Sequence, residues 1–147
     1  MKYVSLCISL GITGFIFLMS SSTGAESASL SNQVAEVIQR LLANIMPMAD
    51  IDILVLHTIV RKSAHLFEYF LLGITYTFTF QTFKLPFWSL ILSGLIIAMI
   101  DEGLQYLPSE RGPSIIDIIF FDYPGYLVGV FITKTIFRNI FFKINVS

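Results

Sequence analysis

The sequence predicts an all-α fold: a polytopic membrane helical bundle of about four transmembrane helices plus an extracytoplasmic amphipathic helix. Of its 147 residues, 55% are hydrophobic and only 13% are charged, whereas charged residues make up about 25% of a typical soluble domain. A soluble protein of this size cannot bury so much apolar surface, because its surface is large relative to its volume. We therefore expect residues 1–147 to form a single domain whose main partner is the lipid bilayer.

Charge and cysteine content exclude several other classes of protein. The net charge of −1 offers no basic surface for nucleic acid. The single cysteine, Cys7, excludes an intramolecular disulfide and a metal site built from cysteines.

Four apolar stretches approach the roughly 20 residues that cross a bilayer. They lie at about 3–19, 64–83, 87–105 and 115–136. The third reaches this length only if Asp101, Glu102 and Gln105 continue its helix. The first has a second interpretation, because Lys2, the apolar centre and the small residues Thr23 and Ala25 are also typical of a cleavable signal peptide. The residues alone leave both interpretations open.

Residues 20–52 between the first two spans are predicted to form an outer loop that includes the amphipathic helix. The polar stretch 20–32 is expected to be a surface loop. After it, apolar residues recur at helical spacing at Val34, Val37, Ile38, Leu41, Leu42 and Ile45. Such a helix either covers the bundle or lies in the membrane interface.

Two further helix starts carry capping signals. Asp50 or Asp52 can cap a helix that starts near Ile53 and runs into the second span. Ser114 followed by Asp117 is typical of a capping box that opens the fourth span.

The distribution of charge predicts the orientation of the chain in the membrane. With the N-terminus inside, the basic residues of the cytoplasmic side are Lys2, Lys84, Lys134, Arg138 and Lys143, and those of the outer side are Arg40, Arg61, Lys62 and Arg111. All ten acidic residues fall on the outer side or in the adjoining half of the membrane. We expect a multi-pass plasma-membrane protein whose polar cluster faces outside.

Polar side chains gather near one end of the predicted spans. Arg61, His65 and Glu68 follow at steps of four and three, which places them in one stripe on a helix. Asp101 and Gln105 are four apart on the next span. Because an ionisable side chain at the centre of a span costs about 2.5–3.5 kcal/mol, these groups should turn inward and meet around a shallow, water-accessible pocket. The expected ligand-binding residues are Arg61, Lys62, His65, Glu68, Tyr69, Asp101, Glu102, Gln105, Arg111, Asp117 and Asp122.

These motifs resemble the VanZ-like family of small bacterial membrane proteins. The motifs that carry the resemblance are "RKSAHLFEY" at 61–69 and "DEGLQ" at 101–105, followed by Arg111, Asp117, Asp122 and Gly125. The resemblance favours a retained first helix over a signal peptide and implies a bacterial cell-envelope protein. The founding member of the family is associated with low-level resistance to the glycopeptide teicoplanin, but no reaction is established for the family.

The chain departs from the family pattern in two places. Glu110 is an extra residue before Arg111, and the spacing from Asp117 to Asp122 is one residue longer than usual. A bulge near Pro124 would absorb the second difference. Whether Asp122 takes the family position is left open.

Three functional interpretations follow from the polar cluster. Arg61, Lys62 and Arg111 can hold a phosphate or carboxylate of a lipid-linked wall precursor or a glycopeptide. Alternatively, the chain is an enzyme acting on a lipid phosphate or wall precursor, for which the candidate acid–base groups are His65, Glu68, Asp101 and Glu102. In the third interpretation the cluster only locks the helices of an accessory subunit.

No cofactor and no metal are expected from the sequence. His65 with Glu68, and Asp101 with Glu102, form short patterns that arise often by chance, and the nearby Arg61 and Arg111 would oppose a cation.

Overall fold

The chain is helical in almost all of the residues that the structure, a computed structural model, describes: 2–21, 24–45, 52–107 and 114–144. No strand occurs among them. The helices in chain order are α1 (Lys2–Ser21), α2 (Gly24–Ile45), α3 (Ile53–Phe83), α4 (Phe87–Leu104), the single turn α5 (Ile115–Asp117), a π-helix (Ile118–Asp122) and α6 (Tyr123–Ile144).

Three helical segments among the described residues are long and apolar enough to cross a membrane. They are Lys2–Ser21, Phe87–Leu104 and Ile115–Phe137. Large apolar side chains are exposed along them, including Leu18, Trp88 and Phe131, which are 70%, 67% and 54% exposed. A surface of this kind is stable against lipid and unstable against water. The membrane bundle predicted from the composition is therefore confirmed.

Helix α3 is less apolar and lies against the other spans. Its 31 residues extend for about 46 Å, at about 1.5 Å per residue. Towards its C-terminus, the Thr79 hydroxyl bonds the Ser9 hydroxyl of α1 at 2.8 Å. In its first half, Lys62 reaches Asp117 at 2.8 Å. Helix α3 thus contacts its neighbours in both of its halves. The predicted span at 64–83 is not among the three segments above and stays a prediction.

The predicted starts of α3 and α5 agree with the structure. Asp52 is the N-cap of α3 and accepts a hydrogen bond from the Leu54 amide at 2.9 Å. The Ser114 hydroxyl accepts one from the Asp117 amide at 3.3 Å. At the other end of α3, Lys84 takes a left-handed conformation with a φ of 57° and closes the turn before Pro86.

Helix α2 begins earlier than the sequence predicted. Residues 20–32 were expected to be a surface loop, but residues 20–21 belong to α1 and α2 starts at Gly24. The stretch contains no proline and includes Ala25, Glu26 and Leu30, and adding such residues to a helix that is already nucleated costs little. The helix contacts α3 and buries Ala35 completely.

The predicted apolar stripe of α2 is divided between two surroundings. Val34, Val37 and Leu41 are 48%, 55% and 57% exposed, whereas Ile38 and Leu42 are partly buried. Helix α2 therefore covers α3 with one side and presents an apolar edge to its surroundings.

Glycines bring α3 and α6 into close contact. A side chain at Gly129 would overlap the backbone oxygen of Phe70, and one at Gly73 would overlap the backbone oxygen of Tyr126. Gly125 lies equally close to the backbone of Leu66. Small residues allow membrane helices to approach this closely. The glycine pair at 125 and 129 thus serves packing within the bundle.

Helix α1 belongs to the same core. Ile16 packs with Tyr69, Leu72, Leu90, Ile97, Ala98, Tyr126 and Val130 in the buried cluster. The Thr13 hydroxyl lies 3.1 Å from that of Tyr76. A cleaved signal peptide would not supply part of the core, so the packing supports the interpretation of α1 as a retained helix.

Candidate functional site

The predicted polar residues meet at one end of the bundle, where α1 and α4 end and α5 begins. We call this the polar end. The helices place ten of the eleven predicted binding residues there: Arg61, Lys62, His65, Glu68, Tyr69, Asp101, Glu102, Gln105, Asp117 and Asp122. The eleventh, Arg111, lies outside the described residues.

In the outer layer of the polar end, where the side chains are partly exposed, Lys62 and Asp117 form an ion pair. Lys62 Nζ lies 2.8 Å from Asp117 Oδ1, and the two side chains are 35% and 31% exposed. The same ammonium group lies 4.6 Å from the centre of the Phe121 ring. A charge-assisted hydrogen bond combined with a cation–π contact holds α5 against α3.

A series of hydrogen bonds connects the C-terminal end of α4 to Ser114 and to Arg61 of α3. Glu102 accepts from the backbone amide of Ser114 through one carboxylate oxygen and from Gln105 Nε2 at 3.1 Å through the other. The Gln105 carbonyl oxygen in turn accepts from Arg61 at 3.5 Å. Glu102 therefore positions the start of the last span, and Arg61 keeps only a long, weak bond to α4.

Beneath this layer lies the inner cluster, which we define as His65, Asp101 and Asp122. His65 Nδ1 is 3.6 Å from Asp122 Oδ1. One ligand atom from each of the three residues lies within 4.8 Å of the others. Both aspartates are 0% exposed. The cluster is therefore buried, and in this respect the sequence expectation of a shallow open pocket was wrong.

Among the described residues, the carboxylates of the inner cluster lack hydrogen-bond partners. All four oxygens of Asp101 and Asp122 are buried without a partner of hydrogen-bond geometry in this part of the chain. The hydroxyls of Ser20 and Tyr69 approach Asp101, but the Tyr69 hydroxyl is likewise unpartnered there. Unpaired buried carboxylates are costly, because they have lost their water without a replacement.

The π-helix explains how Asp122 reaches the inner cluster. In a regular α-helix, residues 117 and 122 would point about 140° apart, since each residue turns the helix by about 100°. The Tyr123 amide instead bonds the Ile118 carbonyl, five residues earlier. A π-helical turn contains one residue more than an α-helical turn. It therefore accommodates the extra residue in the spacing from Asp117 to Asp122, and both aspartates contact α3. The bulge expected near Pro124 lies directly before it.

Ser20 is a member of the site that the sequence analysis did not include. It is 1% exposed at the last turn of α1 and approaches Asp101. Once α1 is taken as a retained span, its C-terminal serines must lie at the polar end. The sequence could therefore have indicated Ser20 through the interpretation of α1 as a span.

The fold and the site together define a class: a small polytopic helical membrane protein with a partly buried cluster of ionisable groups at one end of the bundle. The family model described as VanZ/LLP1 matches residues 5–138. The chain belongs to this VanZ/LLP1 family, as its motifs predicted. No curated protein and no solved structure matches it.

Proposed function

We propose that the protein binds a ligand carrying an anionic group, a lipid-linked wall precursor or a glycopeptide, at the polar end, and so contributes to tolerance of teicoplanin-type antibiotics. One observation carries the proposal. Ionisable groups from helices far apart in sequence converge at one end of the bundle, and among them the Arg61 guanidinium makes only one long hydrogen bond, of 3.5 Å, to a side chain of the described residues. A cluster that only locked helices together would satisfy its polar groups internally.

Arg61 is the group best suited to the anion. Its guanidinium is partly buried, and its one hydrogen bond to a side chain of the described residues is the 3.5 Å contact with Gln105. An arginine offers five donors in a planar fork that matches phosphate and carboxylate. Most of these donors therefore have no side-chain partner among the described residues and can serve a ligand. Lys62, which is paired with Asp117, contributes positive potential beside it.

The proposal places this end of the bundle at the outer face of a bacterial plasma membrane. The end opposite the polar end carries Lys2, Lys84 and Lys134, and no acidic residue neighbours any of these lysines in the sequence. Excess lysine and arginine in short loops favours the cytoplasmic side. A lipid-linked precursor or a glycopeptide would meet the opposite face, where Arg61 is exposed in part.

The test replaces charges in the cluster in bacteria that depend on the chain for tolerance. Arg61→Gln and Glu68→Gln should each increase susceptibility to teicoplanin at unchanged protein level in the membrane. Arg40→Gln and Glu36→Gln are matched controls, because this exposed pair lies on α2 away from the cluster. If both site variants accumulate normally and protect as well as the parent, the proposal fails.

A second candidate function is a membrane enzyme acting on a lipid phosphate or wall precursor. It is favoured by the 3.6 Å approach of His65 to Asp122, since a carboxylate beside an imidazole orients it for general acid–base catalysis. Purified protein in lipid nanodiscs would be incubated with labelled lipid intermediates. Turnover that disappears in His65→Gln establishes the enzyme, and the absence of turnover with the parent protein excludes it.

The accessory-subunit interpretation makes a different prediction for the same variants. If the cluster only locks the helices, Arg61→Gln and Glu68→Gln should lower thermal stability in proportion to any loss of tolerance. Loss of tolerance without loss of stability supports ligand binding instead.

A further inference from the structure

The inner cluster presents a set of metal ligands that the pairing of the polar end leaves unused. His65, Asp101 and Asp122 come from α3, α4 and the π-helix. The three residues supply one imidazole and two carboxylates, with one ligand atom each within 4.8 Å of the others. We propose that these three residues bind one divalent transition-metal cation of the Zn²⁺ or Mn²⁺ type.

The distances suit a single ion. Ligand atoms lie about 2.0–2.2 Å from such a cation, so two ligands of the same ion lie at most about 4.4 Å apart. The contact between His65 Nδ1 and Asp122 Oδ1, at 3.6 Å, already falls within this limit. The widest separation of 4.8 Å closes with a movement of less than an ångström, which rotation of a carboxylate supplies.

The charges of the cluster also favour a cation. Asp101 and Asp122 are 0% exposed, and their oxygens have no hydrogen-bond partner among the described residues. Glu68 adds a third carboxyl group close enough to interact electrostatically with both of them. Negative groups this close and this dry repel one another strongly, and a bound cation stabilises them, as do a basic partner and protonation of a carboxyl group.

The basic side chains of α3 are directed elsewhere. Lys62 bonds Asp117 at 2.8 Å, and Arg61 bonds Gln105. Among the described residues, His65 is the basic group in contact with either aspartate of the cluster. The sequence argument against a metal was that Arg61 and Arg111 would oppose a cation. For Arg61 that argument weakens, because Arg61 lies in the outer layer beside Gln105, and Arg111 lies outside the described residues.

The donor set selects the type of ion. A neutral imidazole suits Zn²⁺, Mn²⁺ and similar metals better than Ca²⁺ or Mg²⁺, which prefer oxygen alone. The hydroxyls of Ser20 and Tyr69 approach Asp101. There they can donate to the carboxylate oxygen that does not bind the ion and so orient Asp101. The Tyr69 hydroxyl then gains the partner that it lacks.

This inference goes beyond the proposed function and does not depend on it. Anion binding by Arg61 needs no metal, and the metal site needs no antibiotic or lipid. The test of metal binding to the purified protein and the test of antibiotic susceptibility in cells can therefore give independent results.

The experiment measures Mn²⁺ and Zn²⁺ binding to the purified full chain in detergent. After chelator treatment and dialysis, the protein is titrated with Mn²⁺, and the bound ion is counted by electron paramagnetic resonance. We expect one Mn²⁺ per chain, displaced by Zn²⁺ but not by an equal concentration of Mg²⁺. Pulsed measurements should show coupling to an imidazole nitrogen, and this coupling should vanish in His65→Gln.

Asp101→Asn and Asp122→Asn keep the shape of the side chain and remove its charge. Because even the loss of an outer hydrogen-bond partner lowers metal affinity by about 10–100-fold, the loss of a ligand should cost at least about 100-fold. Glu36→Gln, an exposed carboxylate on α2, is the control and should bind as the parent does.

Two results would overturn the proposal. In the first, the parent protein binds neither ion and shows no nitrogen coupling. In the second, an ion binds equally well to the parent and to folded Asp101→Asn and Asp122→Asn proteins, which would mark it as adventitious. The spectrum of the parent decides the question even if a variant does not fold.

Discussion

Lys62 and His65 lie one helical turn apart on α3 and contact Asp117 and Asp122, respectively. The two contacts differ in depth. The lysine pair is about one third exposed, whereas Asp122 is 0% exposed. A partly exposed ion pair is screened by water and contributes little, but a buried carboxylate depends entirely on the groups that surround it. At the scale of residues, the site therefore consists of the ion pair of Lys62 with Asp117 above an inner cluster whose aspartates have no hydrogen-bond partner among the described residues.

The outer ion pair should contribute measurably to stability. In a double-mutant cycle with Lys62→Gln and Asp117→Asn, we expect a coupling of about 1 kcal/mol, at the upper end for exposed pairs because this pair is only one third exposed. Thermal or denaturant unfolding in detergent measures it. The pair of Arg40 and Glu36, at 3.5 Å and 79% and 58% exposed, serves as the comparison and should couple more weakly. Equal coupling in the two pairs would contradict the description of a partly shielded contact.

At the scale of elements, the contact between α3 and α6 controls the geometry of the polar end. Gly73, Gly125 and Gly129 let the two backbones approach closely. The π-helix then turns the start of the last span so that it presents two aspartates to α3. π-Helical turns inside longer helices occur frequently at functional sites. Packing along the bundle and the placement of the two aspartates at its end are thus properties of the same pair of helices.

The glycine contact predicts a contrast between two identical substitutions. Gly129→Ala should destabilise the bundle by about 1–3 kcal/mol, because the new methyl group meets backbone atoms of α3 that cannot move aside. Gly14→Ala on α1, where nothing lies within 4 Å, should be neutral or stabilising by up to about 1 kcal/mol, since alanine favours the helix. Thermal unfolding of the two purified variants checks both signs. A similar effect of the two changes would refute the close approach.

Removing one residue from the π-helix should separate Asp117 from Lys62. Deletion of Phe120, which is 65% exposed, allows a regular α-helix and turns Asp117 by about 100° relative to α6. We expect the coupling between Lys62 and Asp117 to fall to zero in this background. Phe120→Ala, which keeps the number of residues, should retain the coupling. If the deletion leaves it intact, the extra residue does not place Asp117.

At the scale of the whole molecule, charge is segregated between the two ends of the bundle. Ionisable groups of both signs gather at the polar end, and the opposite end carries Lys84 and Lys134, the latter 3.6 Å from the centre of the Phe87 ring. This segregation makes the orientation testable. The proposed function requires the polar end to be external.

Labelling with a membrane-impermeant maleimide tests the orientation in intact cells. The exposed Cys7 is first replaced by alanine. In that background, Thr58→Cys on exposed α3 surface near the polar end should react from outside, and Lys84→Cys at the opposite turn should react only after the cells are opened. Both positions are exposed, so the side of the membrane on which each cysteine lies decides whether it reacts in intact cells. The reverse pattern would place the cluster in the cytosol and exclude an external ligand.

The sequence alone determined the features that depend on composition and short-range pattern. The apolar spans follow from the cost of placing polar groups in lipid, the starts of α3 and α5 follow from Asp52 and Ser114, and the location of the polar groups at one end follows from their positions within the spans. Convergence of His65 with Asp101 and Asp122 was also expected, because charged groups in a membrane turn away from lipid.

Only the tertiary structure decided which of these groups pair and which do not. A shift of one residue turns a helix by about 100°, so the π-helix and the glycine contacts determine that Lys62 meets Asp117 and that Asp122 lies beside His65. These rotations arise from contacts between residues far apart in the chain, and no local pattern encodes them. For the same reason, the two aspartates that remain buried and unpartnered could be recognised only after the helices were placed side by side.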